Sequence, residues 1–219
     1  MSAGGKAFRW ALRPSPIIAL FLMALSGTVP PLAGPGLPSG KIASFPDNPC
    51  PPDMVWVEAR GFCMDRYEFP NIKGAEPVRD IDFLEAIALC RSRGKRVPYR
   101  DEFLAACRGL KKDLYTYGPE FIPGRCRSGL AWADGPSPAG SYTGCVRDGI
   151  YDLNGNVWEW VWQEKEGGRK FIAGGAWNTG PDHANCRDFV RLLEVVKAPS
   201  VGVRCVMTPA VKPASVPDK

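Results

Sequence analysis

The sequence predicts an α+β domain with few regular elements, held together by disulfide bonds. Two stretches have the apolar spacing of helices, and several short runs have the alternation of strands. Gly and Pro number 24 and 22, which indicates many turns and long loops between these elements. The eight cysteines supply the cross-links that such a fold needs. Apolar residues make up 45% of the chain, enough for a core, which argues against a disordered or fibrous class.

The N-terminus has the three parts of a secretory signal peptide. Residues 1–13 contain three basic residues and no acid, a short apolar run follows at Ile17–Leu25, and small residues come next. The run is short for a membrane span, so an uncleaved anchor or a buried helix is the weaker alternative. We predict a signal peptide over residues 1–33, a linker over 34–52, a folded domain over 53–207 and a disordered tail over 208–219.

The charge argues against a nucleic-acid-binding surface. The formal net charge is +5, but the predicted signal peptide holds three of the basic residues and none of the acidic ones. The dense cationic cluster Arg91–Arg96 follows an apolar helical stretch and is interpreted as a solvated helix end. A phosphate-binding surface would need more basic residues than this one cluster supplies. We expect a periplasmic, cell-surface or extracellular protein with an unknown extracytoplasmic ligand or protein partner, no nucleic acid, and no stable membrane insertion after cleavage.

The first half of the domain is predicted as two short strands followed by two helices. Met54–Val57 and Gly61–Tyr67 are expected as strands around a turn. Asp80 is the expected N-cap of a helix over Ile81–Arg93, which Gly94 ends. Pro98 opens a second helix over Arg100–Arg108, which Gly109 ends.

The second half is predicted as long loop and short strands. Tyr115–Gly149 is rich in Gly, Pro and Ser, and Asp152–Asn156 has the composition of a turn. Val157–Trp162 alternates and places its three tryptophans on one strand face, where aromatic residues are most often core. Phe171–Ala173 and Val201–Val206 are the remaining predicted strands.

The cysteine spacing excludes several kinds of site. No C-x-x-C pair exists, so zinc ribbons and thioredoxin-like redox sites are excluded. Four disulfides are the expectation for an exported chain. In the alternative, one pair stays reduced, and Cys90 is then the first candidate for a free thiol because it lies on a predicted helix. The cysteines are Cys50, Cys63, Cys90, Cys107, Cys126, Cys145, Cys186 and Cys205.

Several segments, in the same order, resemble those of one family. Gly149–Trp160 (GIYDLNGNVWEW) is close to the pattern GLYDMxGNVWEW, and Gly94–Gly109 is similar to GKRLPTEAEWEYACRG. Met54–Val57, Tyr117-Gly118, Gly174–Trp177 (GGAW) and Gly202–Cys205 (GVRC) match weaker motifs. The chain thus resembles the formylglycine-generating enzyme (sulfatase-modifying factor) family over about residues 53–207. The resemblance implies the formylglycine-generating-enzyme variant of the C-type-lectin fold.

The resemblance also implies disulfide pairing. Cys107 and Cys205 match a pair that is bridged in the family, so this bond is predicted. Cys50–Cys63 would join two neighbouring strands, and Cys126–Cys145 would close the long loop. Cys90 and Cys186 are left without an assigned partner.

The catalytic thiols of the family are missing from this chain. Its enzymes oxidise a substrate cysteine with copper held by two thiolates, a soft site that suits Cu(I). The equivalent positions here are Thr179 and Ala184, and no two cysteines lie closer than thirteen residues. Tyr99-Arg100 also replaces the family's Thr-Glu in the helix signature. Copper is therefore not expected, and no catalytic residue is assigned.

A single histidine is too few for a second kind of catalysis that the resemblance would otherwise imply. The family's iron-dependent sulfoxide synthases need several histidines, and this chain has only His183. Beside Asp182, this histidine could serve as a base, but an exposed loop histidine is the simpler interpretation because no nucleophile motif accompanies it.

A structural calcium site is the one metal site that the resemblance implies. Its ligands would be the Asp152 carboxylate, the backbone carbonyls of Gly155 and Val157, and the Glu159 carboxylate. Hard oxygen ligands of this mixed kind suit Ca²⁺. The alternative is a plain Asp/Asn/Gly turn with Glu159 on a surface strand face.

Three functions are compatible with the sequence. The first is a secreted, non-catalytic domain that binds a ligand or partner, through Trp177, Asn178, Asn185, Arg187 and Arg191 on the loop Asn178–Asn185 and its neighbourhood. The second is an oxidoreductase of the formylglycine-generating type that acts on a sulfatase cysteine through unfamiliar residues. The third is a structural accessory domain of an envelope assembly.

Overall fold

The computed structural model describes residues 48–129, 135–163 and 168–209. The predicted signal peptide, most of the predicted linker and residues 210–219 of the predicted tail lie outside these ranges. The elements in chain order are β1 (Met54–Val57), β2 (Phe62–Asp65), α1 (Phe83–Arg91), α2 (Arg100–Arg108), β3 (Val146–Arg147), β4 (Ile150–Tyr151), β5 (Trp158–Gln163), β6 (Arg169–Ala173), β7 (Phe189–Arg191), β8 (Val201–Gly202) and β9 (Val206–Met207).

Within the described ranges, the strands form two small sheets and a hairpin. The first sheet has the antiparallel order β1-β2-β9, so it joins the beginning of the domain to its end. The second has the order β7-β6-β5-β8, in which β8 runs parallel to β5 and the other pairs are antiparallel. Strands β3 and β4 pair as a two-stranded hairpin.

The second helix has the predicted bounds, and the first is shorter than predicted. α2 spans Arg100–Arg108 and ends at Gly109. α1 begins at Phe83, because Asp82 is its N-cap and forms a capping box with Glu85. Asp80 has a φ of 61°, which differs from the extended conformation of an N-cap, so its predicted capping role is wrong.

The predicted strand Val201–Val206 is in fact two strands that belong to different sheets. β8 pairs with β5, and β9 pairs with β2. The residues between them cross from one sheet to the other and carry Arg204 into the interior, where its side chain is fully buried. Strands β3, β4 and β7 are only two or three residues long and lacked a sequence signal.

The cationic cluster Arg91–Arg96 is more than a solvated helix end. The ammonium of Lys95 lies 2.6 Å from Asp65 and 2.9 Å from Asp53. The guanidinium of Arg96 forms a bidentate salt bridge with the Glu102 carboxylate, with N–O distances of 2.6 and 2.7 Å. These cations tie α1 and α2 to the first sheet rather than form a free basic surface.

All eight cysteines form disulfides, and two of the four pairs differ from expectation. Cys50–Cys63 and Cys126–Cys145 are bonded as predicted. The predicted Cys107–Cys205 bond is wrong, and so is the alternative of a free Cys90, because the remaining bonds are Cys90–Cys205 and Cys107–Cys186.

Backbone pairing explains the exchange of partners. Arg96 and Val206 exchange backbone hydrogen bonds, which brings the segment after α1 against β9 and places Cys205 beside Cys90. The backbone N–H of Cys186 donates to the Leu114 carbonyl, shortly after α2, which brings Cys186 to Cys107.

The core lies in two clusters on either side of β5. Trp158 and Trp160 belong to the cluster that packs on α1, and the indole N–H of Trp160 donates to the Ile81 carbonyl. Trp162 is half-buried and stacks on Tyr99. The second cluster packs β1 and β2 against α2. The predicted tryptophan face is therefore a core face.

A buried ion pair connects the two sheets. The guanidinium of Arg204 bonds both carboxylate oxygens of Glu159 on β5, at 2.7 to 3.2 Å. Its other N–H groups donate to the backbone carbonyls of Asp65 on β2 and Tyr151 on β4. Because both charged groups are almost completely buried, every one of these bonds is needed to offset their desolvation.

We predict that Arg204→Met lowers the free energy of unfolding by about 3–5 kcal/mol, because it leaves the Glu159 charge buried without a partner. The double variant Arg204→Met/Glu159→Leu should recover part of that loss, since it removes both charges. Urea denaturation measures both. The control Arg60→Met removes the exposed pair with Asp101 and should cost less than about 1 kcal/mol; equal losses in the two single variants would contradict the account.

Candidate functional site

The candidate site is built around the turn Asp152–Val157. Asp152 and Asn156 adopt positive φ angles of 61° and 57°, which Asp and Asn tolerate better than most residues. Gly155 is required for a different reason: a Cβ there would lie 2.3 Å from the Arg127 carbonyl oxygen. The turn is thus pressed closely against the long loop that precedes it.

The two asparagines of this turn anchor the surrounding loops. The Asn154 side-chain oxygen accepts from the backbone N–H of Thr116 at 2.8 Å, and the Asn156 oxygen accepts from that of Ser137 at 2.8 Å. The backbone carbonyl of Asn156 accepts from Trp177. Side-chain bonds to backbone groups therefore hold loops that have little regular structure of their own.

Glu68 is a buried acidic residue of this region that the sequence did not reveal. Its carboxyl is fully buried and accepts from the Asn156 side chain at 2.7 Å and from the Val157 backbone N–H at 3.3 Å. The available signal was an acidic residue directly after a strand, in the segment 66–70. That signal is weak, because such a residue is usually solvent-exposed.

Three buried carboxyls share this region with one guanidinium. Burial raises the pKa of Glu68 well above its ordinary value, and the neighbouring charges of Asp152 and Glu159 raise it further. Burial also raises the pKa of Asp152, to about 6, although the Gly140 hydrogen bond and Arg204 oppose the shift. Burial raises the pKa of Glu159 as well, against the charge of Arg204. The region therefore has an excess of acid.

The residues of the predicted calcium site lie together, but their carboxylates have protein partners. Both oxygens of Glu159 accept from Arg204, so the alternative of Glu159 on a surface strand face is wrong. One oxygen of Asp152 accepts from the Gly140 backbone N–H at 2.7 Å. Among the described residues, no group of three His, Cys, Asp or Glu side chains could hold a metal ion. A calcium ion here would thus depend on the carbonyls of Gly155 and Val157, although its charge would suit the excess of acid.

Thr179 and Ala184, the positions that the resemblance matches to the family's copper-binding thiols, lie in a tightly packed loop. The hydroxyl of Thr179 accepts from the Ala176 backbone N–H at 3.0 Å. Ala184 is buried, and a Cβ on Gly175 would lie 2.5 Å from its Cα. Neither position supplies a thiolate for copper, and the nearby Cys186 is bonded to Cys107.

Of the five predicted ligand-binding residues, three are exposed and two form the base of the loop. Asn178, Arg187 and Arg191 are exposed, whereas Trp177 and Asn185 are each only 6% exposed. The Asn185 side chain bonds backbone groups of Asp182, Arg187 and Asp188. Trp177 and Asn185 therefore shape the loop and offer little surface to a ligand.

His183 pairs with a residue that the sequence did not suggest. Its Nδ1 bonds the carboxylate of Asp188, and this hydrogen bond raises the pKa of the histidine. The pair is exposed. Loop closure by a surface ion pair is the role that this geometry supports.

Comparison with known proteins identifies the family and the fold. The family model of the sulfatase-modifying factor enzyme 1-like domain matches residues 24–209. The chain is 34% identical over 126 residues to the Bos taurus protein named inactive C-alpha-formylglycine-generating enzyme 2, across 51% of this chain and 42% of that protein. It is 30% identical over 106 residues to the formylglycine-generating enzyme of Mycobacterium tuberculosis, across 42% of this chain and 35% of that protein. The chain thus matches less than half the length of these relatives.

Two solved structures share the fold. Treponema denticola variable protein 1 superposes with a TM-score of 0.58 at 14% identity, covering 68% of this chain and 84% of that one. PvdO from Pseudomonas aeruginosa gives 0.53 at 17% identity, covering 66% and 79%. The predicted C-type-lectin-like α+β fold is confirmed.

We predict that the stability of the metal-free protein falls as pH rises from about 4 to 6. The folded pKa of Asp152 exceeds its unfolded value of 3.8, so the folded state holds the proton more tightly across this window, and ionisation costs on the order of 3 kcal/mol. Asp152→Asn removes the charge, keeps an acceptor for Gly140 and suits the positive φ.

Urea titrations at a series of pH values should show a shallower decline for Asp152→Asn than for the parent chain. The matched control is Asp148→Asn, which also has a positive φ but is exposed and should leave the decline unchanged. The same slope in all three proteins would refute this assignment.

Proposed function

The chain belongs to the family of sulfatase-modifying factor enzyme 1-like domains, and from this premise we propose that it is an exported, non-catalytic member that binds a ligand or a protein partner. The observation that carries the proposal is how the cysteines are used. All eight are joined in four disulfides, and the resemblance matches Thr179 and Ala184, not cysteines, to the two copper-binding positions of the family's enzymes.

The chemistry of copper oxidation supports this proposal. Cu(I) is held by soft thiolate ligands, and a sulfur in a disulfide is not a thiolate. Cys107 and Cys186, the pair closest to the loop, are both completely buried, so solvent does not reach their bond.

The relatives of this chain are of two kinds. The chain is similar both to proteins named inactive and to proteins named as enzymes. The residues at the copper positions therefore carry more weight than the family relation. Any activity named for a relative belongs to the whole relative, and this chain matches less than half of its length.

The disulfides and the N-terminal sequence support export. Four disulfides indicate an oxidising compartment, and the sequence of residues 1–33 has the pattern of a signal peptide. In the part of the chain that the structure describes, no helix has the length and apolar character needed to cross a membrane.

The binding surface that we propose is the exposed side of the loop after GGAW. Asn178, Arg187 and Arg191 are accessible there, and the buried Trp177 and Asn185 hold the backbone beneath them. Variable loops on a rigid base are a common way for binding to persist when catalysis is absent.

Calcium is proposed as a structural ion of the turn below this surface. Asp152 and the carbonyls of Gly155 and Val157 would hold it, and it would share the Glu159 carboxylate with Arg204. Glu68, Asp152 and Glu159 are buried beside the guanidinium of Arg204, and a cation would offset their remaining negative charge.

A copper-dependent oxidation assay tests the central proposal. The purified chain, supplied with Cu(I), a reductant and oxygen, is incubated with a Cys-containing sulfatase peptide, beside a formylglycine-generating enzyme as positive control. We expect no aldehyde in the peptide by mass spectrometry and no stoichiometric Cu(I) binding. Turnover above the metal-only background would overturn the proposal in favour of an oxidoreductase.

Thermal unfolding with and without Ca²⁺ tests the metal proposal. Saturating Ca²⁺ should raise the Tm by roughly 5–10 °C, because a ligand in hundredfold excess over its Kd adds a few kcal/mol to a domain of this size. Asp152→Asn should lose most of this rise, whereas Asp148→Asn should keep it. An unchanged Tm in the parent chain would remove calcium from the account.

A further inference from the structure

We propose that the partly exposed end of one sheet face binds an acidic glycan, a carbohydrate chain that carries carboxylate or sulfate groups. The inference rests on the proposed binding function and names the class of its ligand. The surface, called the arginine face below, consists of Arg100, Gln163, Phe171, Phe189 and Arg191.

Strand register brings four of these residues to the same side of the sheet. Phe171 on β6 is paired with Arg191 on β7, and Ala173 is paired with Phe189. On the other side of β6, Gln163 of β5 is paired with Arg169, which lies two residues before Phe171. Because side chains alternate along strands, all four lie on the face that α2 covers.

The fifth residue reaches the sheet from the first position of α2. The guanidinium carbon of Arg100 lies 4.5 Å from the centroid of the Phe189 ring and 5.2 Å from that of Phe171. One of its N–H groups donates to the Gln163 side-chain oxygen at 3.3 Å. Aromatic contacts of this kind hold a guanidinium flat and leave its other N–H donors available.

The arginine face carries positive charge that no described carboxylate neutralises. Neither Arg100 nor Arg191 has an acidic side chain within salt-bridge distance among the described residues. Four described acids on the neighbouring elements are engaged elsewhere: Asp101 with Arg60, Glu102 with Arg96, Asp188 with His183, and Glu194 with Lys170.

Each component of the arginine face matches one part of an acidic sugar. A guanidinium presents paired donors that fit a carboxylate or sulfate. The Gln163 side-chain oxygen accepts from Arg100, and its amide N–H donors suit hydroxyl groups. The half-buried phenylalanine rings offer apolar surface to the C–H side of a sugar ring. An acidic peptide would use the arginines but would gain less from the amide and the rings.

The test is isothermal titration of the full chain at low salt with four polymers. Polygalacturonate supplies carboxylates, heparin supplies sulfates, dextran is neutral, and polyglutamate is an acidic peptide. We expect binding to polygalacturonate or heparin, at least tenfold weaker binding to polyglutamate, and none to dextran.

Three variants locate the site. Arg100→Gln and Arg191→Gln should each weaken glycan binding about tenfold, as expected for the loss of one charge-assisted pair. The control Lys73→Gln removes one exposed positive charge elsewhere and should change the affinity less than twofold. Arg191 is exposed, so its replacement should leave the Tm unchanged, which keeps the test valid even if Arg100→Gln disturbs packing.

Several results would overturn the inference. Polyglutamate that binds as tightly as the glycans would indicate an acidic protein partner instead, and equal losses in all three variants would indicate only general electrostatic attraction. No binding to any polymer would refute the glycan while leaving the non-catalytic proposal intact. Turnover of the sulfatase peptide would overturn that proposal without affecting a measured glycan affinity.

Discussion

The pairing of Arg204 with Glu159 constrains most of this structure. The guanidinium lies in a crossing between two strands of different sheets, and its bonds reach β5, β2 and the hairpin strand β4. A buried charge pair of this kind is tolerated only when its hydrogen bonds are complete. The position of each sheet is therefore linked to that of the other, in a domain whose strands are too short to form a large continuous sheet.

The turn Asp152–Val157 depends on the same arrangement. It lies directly before β5, and its asparagines and the buried Glu68 fix the long loop and the GGAW segment around it. Buried disulfides then secure the loops, with Cys107–Cys186 at the base of the proposed binding loop. In this chain the cysteines have a structural role, and we infer that the scaffold has been retained without the thiol chemistry known in its family.

Local signals allowed much of the fold to be predicted. The helix over Arg100–Arg108 and the strand Met54–Val57 have the predicted bounds, because a helix-ending glycine and a short apolar run specify them within a few residues. The disulfide pairs that bond over short separations were also predicted correctly. Asp80, the predicted N-cap, and Asp82, the observed one, both have side chains that suit a cap, and only the backbone angles identify Asp82 as the cap.

The errors concern features that depend on distant parts of the chain. Cys90 and Cys205 are 115 residues apart, and only the pairing of Arg96 with Val206 shows that they meet. The split of Val201–Val206 between two sheets, and the burial of Glu68 against a turn almost ninety residues later, depend on tertiary structure in the same way. The contact of Arg100 with Phe171 and Phe189, on which the proposed arginine face depends, also joins distant segments and had no signal in the sequence.

The most direct test of the central claim is a count of free thiols. The purified chain is denatured without reductant, treated with an alkylating reagent and analysed by mass spectrometry as intact protein and as proteolytic peptides. The account predicts no alkylated cysteine and a peptide in which Cys107 is linked to Cys186. Two alkylated cysteines per chain, in particular these two, would contradict it, because the domain would then hold a thiol pair available for metal binding or oxidation.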